Sequence, residues 1–229
     1  MLTIGMLGGM SWESSAEYYR LANELVRERL GGLHSAKCIL MSVDFADIEA
    51  LQASGSWDEA GKILADAAER LEAAGVDLLL LCTNTMQKVA DQVQAAVEIP
   101  LLHLADATAA AIQGAGLKTV GLLGTAFTME QDFYRNRLES HGLTVLVPEA
   151  KDRQRVHSII YEELCQGVVT GASRDAYVGI IDRLAQAGAQ GVVLGCTEIE
   201  LLISQADSPV PVFPTTRLHV QAAVDRALA

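Results

Sequence analysis

Two stretches of this chain end an apolar run in a residue able to move a proton. Residues 74–86 read AGVDLLLLCTNTM, and residues 187–199 read AGAQGVVLGCTEI. Each has the form of a strand whose carboxyl end opens onto small hydroxyl and amide residues. A helix starting there would present backbone N–H groups to an anion. Cys196 is the strongest nucleophile or base of the chain, because such a helix start would lower a thiol pKa from about 8.5 toward neutrality. Gly75 lies eight residues before Thr83, and Gly188 lies eight residues before Cys196, so Thr83 is the counterpart of Cys196 and Cys82 falls one place early. Successive strand side chains point to opposite faces. If Thr83 opens into the mouth, Cys82 turns into the covering of the sheet.

Other residues compete for a chemical role. In GMLGGMSWESS, Gly8 and Gly9 follow a strand and Ser11 precedes a helical run, which suits either an anion site or a tight turn with Ser11 as helix cap. The spacing is not G-x-G-x-x-G, so a dinucleotide site finds no support. Cys38 lies inside a strand pattern and Cys165 on the apolar side of a helix, both positions for packing. With no C-x-x-C pair among the four cysteines, neither a metal site nor a disulfide framework is expected. Of the five histidines, His34 and His141 fall in loops, and His103, His157 and His219 near strand or helix starts. A serine-hydrolase triad lacks its G-x-S-x-G elbow.

The elements that must hold these residues alternate. Short, continuously apolar runs at 3–9, 37–43, 76–82, 100–104, 118–124, 143–148, 191–195 and 211–214 read as parallel strands covered on both faces. Between them, residues 13–29, 57–74, 85–97, 106–114, 129–140, 152–165, 174–186 and 216–228 read as helices, giving an α/β fold. The chain also repeats: TIGMLGG at Thr3 matches TVGLLGT at Thr119, Gly75 matches Gly188, and IPLL at Ile99 matches VPVF at Val210. The expectation is two similar flavodoxin-like lobes of about four parallel strands each, related by pseudo-two-fold symmetry. The first takes residues 1–115 with 216–229, and the second residues 116–215. Ligands of such folds bind beyond the carboxyl ends of strands, so a small molecule would sit where those ends from the two halves face each other.

Composition narrows the partners. A formal charge of −12 argues against a surface for nucleic acid or anionic lipid, yet an anion can still be held by amides and hydroxyls. The apolar start is too short for a signal peptide and no run can span a bilayer, so a cytoplasmic protein is expected.

Nearly the whole chain resembles the aspartate/glutamate racemase family, especially its broad-range and L-aspartate/glutamate-specific members. The likeness is carried by GGMSWESS..YYR (8–20), GGLHSA (31–36), SVDF..IE (42–49), CTNTM (82–86), LLGT..TMEQDFYR.RL (122–138), IIYEELC.G (159–167) and GCTEI (195–199). The resemblance implies a cofactor-independent two-base reaction, in which one residue takes the Cα proton of an acidic amino acid and another returns one to the opposite face. It places these roles on Cys196 and Thr83. A threonine hydroxyl is a far weaker acid than a thiol, so it donates a proton more readily than it abstracts one. That asymmetry favours L over D as substrate.

The family likeness also implies substrate contacts at Met10, Ser11, Gln52, Thr83, Asn84, Thr85, Thr125, Thr128 and Thr197, and a homodimer. Gln87 stands where the subgroup often has histidine, and Pro214 where aspartate is common. Two alternatives remain at this stage: a single-cysteine decarboxylase or isomerase of the same fold, and a non-catalytic amino-acid-binding protein.

Overall fold

A computed structural model describes residues 1–229. In chain order the elements are β1 (Ile4–Gly8), α1 (Trp12–Leu30), β2 (Cys38–Ser42), α2 (Phe45–Ser54), α3 (Trp57–Ala73), β3 (Leu78–Leu81), α4 (Ala90–Ala95), β4 (Leu101–Leu102) and α5 (Leu104–Gly114). They continue with β5 (Thr119–Gly124), α6 (Ala126–Glu130), α7 (Asp132–Ser140), β6 (Thr144–Leu146), α8 (Ala150–Glu162), α9 (Gly171–Gln186), β7 (Gly191–Gly195), β8 (Val212–Pro214) and α10 (Thr215–Leu228). Short 3-10 turns occupy Thr85–Val89, Leu164–Gln166, Thr197–Leu201 and Gln205–Asp207.

All eight expected strands form, and every pairing between them is parallel. The strand orders are β2-β1-β3-β4 and β6-β5-β7-β8, the same flavodoxin-like arrangement twice. The chain divides into one compact unit of Met1–Leu104 with His219–Ala229, and a second of Ala105–Leu218. Against the anticipated boundaries at 115/116 and 215/216, α5 thus clusters with the second unit.

Local chemistry explains the departures from the sequence reading. Helix α2 lacks a long apolar stripe, burying only Ile48 and Gln52, and was not anticipated. It is nonetheless well bounded: the Asp44 carboxylate accepts from the Ala46 N–H at 3.0 Å, and Gly55 ends it at φ 74°. The helix expected at 129–140 is two, α6 and α7, separated by extended Gln131. The one expected at 152–165 stops at Glu162, which places Cys165 in the 3-10 turn beyond it.

Strand β3 shows how the first unit is built. Leu79 and Leu81 pack into a cluster with Leu64, Leu71 and Val93 on one face. Leu78, Leu80 and Cys82 pack with Tyr18, Val220 and Val224 on the other. Burying such a run on both faces contributes roughly 2 kcal/mol per leucine. In the second unit, Val192 and Leu194 of β7 meet Ile160, Tyr177 and Ile181.

His219 closes the first unit. Its Nε2 lies 2.7 Å from the Leu102 carbonyl, so this nitrogen carries the proton, and Nδ1 accepts from the Tyr18 hydroxyl at 2.9 Å. Burial lowers its pKa to about 4, leaving a neutral ring that fastens α10 to α1 and β4.

Candidate active site

The strand register settles which residues of the two units correspond. In the second unit Gly124 pairs with Gly195, and Cys196 follows directly. In the first unit Leu7 pairs with Leu81, so one step on Gly8 is level with Cys82, and Thr83 follows. Thr83 and Cys196 therefore occupy equivalent positions just past the carboxyl ends of the central strands β3 and β7. Gly195 is dictated by this geometry: a Cβ there would come within 2.8 Å of the Leu123 carbonyl.

In each unit these residues sit beside the loop that leaves the neighbouring strand, where the connections of a doubly wound sheet diverge. In the first unit that loop is Gly9–Ser11. Ser11 caps α1 by accepting from the Ser14 N–H at 3.2 Å, and Ser14 Oγ in turn donates to the Cys82 carbonyl at 3.3 Å. In the second unit the Thr125 side chain caps α6, accepting from the Thr128 N–H at 3.3 Å, with the two hydroxyls 3.2 Å apart. Ser11 and Thr125 are thus matching caps, and Thr128 is fully buried behind the second.

The Thr83 mouth is lined with amides. Asn84 and Thr85 are buried. Gln87 Nε2 donates to the carbonyls of Leu81 at 3.0 Å and Thr83 at 3.1 Å, which fixes the amide orientation and leaves its buried Oε1 without a protein donor. Gln52, one turn past Ile48 on α2, donates to the Met86 sulfur at 3.0 Å, and its Oε1 is likewise buried and unmatched. The Met10 side chain lies in the apolar cluster with Ile48 and Met86, so packing occupies it. No acidic or imidazole group bonds the Thr83 hydroxyl, which makes no hydrogen bond within the protein.

The Cys196 mouth is different. Cys196 is extended, with φ −159° and ψ 132°, and the 3-10 turn that follows folds Glu198 back over it. The thiol donates to Glu198 Oε2 at 2.9 Å. Glu198 is itself only 6% exposed. Thr197 Oγ1 is 2.9 Å from the Thr216 hydroxyl, and Glu200 accepts from the Thr216 N–H at 3.1 Å.

This corrects the expectation of a thiol lowered toward neutrality. Burial pushes the Cys196 thiol well up, and the Glu198 carboxylate and Cys165 push it further. The Glu198 backbone N–H, in the short 3-10 turn, pulls the other way but by less than burial and charge raise it. Sequence reading assigned roles to Cys196 and Thr197 in GCTEI and passed over Glu198, although an acid two residues past a cysteine at a strand mouth was visible. Cys82, by contrast, is fully buried beside Tyr18 and Val224, and burial raises its thiol beyond any working range. It is a packing residue.

Three further histidines are engaged elsewhere or exposed. His157 accepts from the Ala126 N–H at 3.2 Å, His141 bonds Asp106 at 2.9 Å, and His34 is exposed. No group of three or more His, Cys, Asp or Glu is arranged to hold a metal ion. No helix is long and apolar enough to cross a membrane.

Comparison with known proteins identifies the family. The Asp/Glu/Hydantoin racemase family pattern matches residues 7–223. A broad specificity amino-acid racemase, RacX, from Bacillus subtilis (strain 168) is 26% identical over 174 residues, 75% of this chain and 74% of its own. Among solved structures, a proposed Asp/Glu racemase from Yersinia pestis is 54% identical with a TM-score of 0.94, and an aspartate racemase homologue from Pyrococcus horikoshii OT3 is 36% identical with a TM-score of 0.88. Both comparisons cover 100% of each chain.

Proposed function

The chain belongs to the Asp/Glu/hydantoin racemase family, whose members are cofactor-independent isomerases, and we propose that it inverts L-aspartate or L-glutamate by moving the Cα proton between Cys196 and Thr83. One observation carries this reading. The two residues are register equivalents in repeated sheets, Thr83 two residues beyond β3 and Cys196 one beyond β7. A reaction that takes a proton from one face of a carbon and returns one to the other needs two such groups.

The two groups differ, and the difference sets a direction. Cys196 is a thiol with an acceptor at 2.9 Å, whereas the Thr83 hydroxyl has no base to relieve it of its proton. Abstraction by Cys196 and donation by Thr83, with solvent water returning a proton to the threonine oxygen, is the faster order, and Cα exchange is correspondingly faster from the L enantiomer. The substrate carboxylates are taken by backbone amides and hydroxyls at Ser11, Thr85, Thr125, Thr128 and Thr197. Asn84 and Gln52 complete the set, the unmatched Gln52 Oε1 being suited to the substrate ammonium. Met10 contributes through its backbone. The same reading makes the working form a cytoplasmic homodimer, which size-exclusion elution at several concentrations would check.

The deciding experiment is incubation of L- and D-aspartate and L- and D-glutamate, separately, in D₂O with NMR detection of Cα–H loss. Exchange of an L substrate, abolished in C196A, is the expected outcome. Exchange of no substrate, or full exchange in C196A, refutes the reading.

A further inference from the structure

Resting on the racemase reading, we propose that Glu198 is the proton partner of Cys196, so that thiol and carboxylate act as a single base. The Cys196 thiol donates to Glu198 Oε2 at 2.9 Å, and the two residues sit at the start of a short turn in which Glu198 is 6% exposed and Cys196 half-buried. A buried carboxylate placed two residues from a cysteine has a strong effect on its chemistry, and the sign of that effect is informative. The negative charge opposes a resting thiolate. If a free thiolate were the base, Glu198 would be an obstacle to it.

The obstacle disappears when the pair is the base. At rest the two groups share one proton and one negative charge. When the substrate Cα–H bond breaks, an S–H bond forms, and the proton already on sulfur passes to Glu198 Oε2 as an O–H bond. The pair goes from monoanion to neutral, and its charge leaves on the substrate carbanion. No step requires a thiolate and a carboxylate side by side.

Other titratable groups face the thiol. Cys165 lies in the turn Leu164–Gln166, which packs against the turn holding Glu198. Tyr177 of α9 is buried in the same cluster, its hydroxyl donating to the Val156 carbonyl at 3.3 Å, and Glu163 bonds Thr170 and Ser173. None of these three is hydrogen-bonded to Cys196 in the way Glu198 is. In the first unit the offset of 113 that relates Thr83 to Cys196 places Thr85 opposite Glu198. The mouth without a thiol at the position of Cys196 also lacks the acid.

The test compares wild type, C196A, E198Q and E198D. Deuterium entry into L-aspartate and L-glutamate is followed by NMR, and iodoacetamide labelling of Cys196 by peptide mass spectrometry across pH. In E198Q, exchange should slow by about 100-fold, the ordinary size of a general-base contribution. Labelling should at the same time move to lower pH, because a negative neighbour has gone. Wild-type exchange in E198Q, or slowed exchange with an unmoved labelling profile, overturns the proposal, the latter assigning Glu198 a merely structural role. Should E198Q not fold, E198D carries the test: its charge stays while its shorter arm draws the carboxylate off the thiol, so exchange slows, and wild-type exchange is contrary. Full exchange in C196A would instead sink the underlying racemase reading.

Discussion

Cys196 and Glu198, two positions apart in the chain, are joined by a 2.9 Å hydrogen bond from thiol to carboxylate, and the register-equivalent residues Thr83 and Thr85 have no such pair. The two units share a strand order and differ in their acid–base equipment. On the proposed racemase reading, that difference makes Cα exchange faster from the L face than from the D face.

Restoring the equipment in the first unit should restore the second direction. T83C is expected to raise exchange of the D substrates at least about tenfold, since a thiol is a far stronger acid than an alcohol. T83C/T85E, which transplants the pair, should raise it further. NMR exchange in D₂O measures both, and D activity no higher than wild type in the folded variants would disprove the asymmetry.

Thiol labelling should follow burial and charge. Because Cys196 is pushed up by burial and by Glu198, its alkylation should be slow at neutral pH and climb through the alkaline range, with no plateau in mild acid. Cys82 should label only after denaturation. Peptide-resolved labelling separates the two, and C82A should exchange substrate at the wild-type rate with a modestly lower melting temperature.

Acid should weaken the fold through His219. Its folded pKa of about 4 lies below the ordinary 6.5, so between these values the unfolded chain binds a proton that the folded chain refuses. Stability contributed by the neutral ring is complete above about pH 6.5 and is lost as pH falls toward 4, by about 3 kcal/mol in all. Urea unfolding at pH 7, 5.5 and 4.5 should show this slope, and H219Q should flatten it.

Gly195 admits no side chain. In G195A the new methyl would press on the Leu123 carbonyl, a backbone atom held in the sheet, so a loss of about 1–3 kcal/mol is expected. Because Cys196 is the next residue, Cα exchange should fall as well. A variant with wild-type melting temperature and exchange would contradict the packing described.

The sequence alone determined the eight strands, their parallel pairing, the duplication and the equivalence of positions 83 and 196. These features depend on local periodicity and spacing: apolar runs covered on both faces, glycines at fixed offsets, and a period of two that turns Cys82 away from the mouth. Helix α2 escaped because its stability lies in its caps and a two-residue buried stripe rather than in a broad apolar face. The breaks at Gln131 and Glu162 escaped because helix-forming composition continues across them, and only packing decides where the chain turns.

Tertiary structure alone decided the state of the thiol. A helix start in the sequence suggested a lowered pKa, but the electrostatics of a buried group depend on what surrounds it in space. A carboxylate at 2.9 Å and partial burial of the thiol reverse the sign, and neither is a property of residue order. The hydrogen bonds that make His219 a structural fastening and Gln87 a support for the Thr83 backbone likewise arise only when distant segments, or successive turns, are brought together.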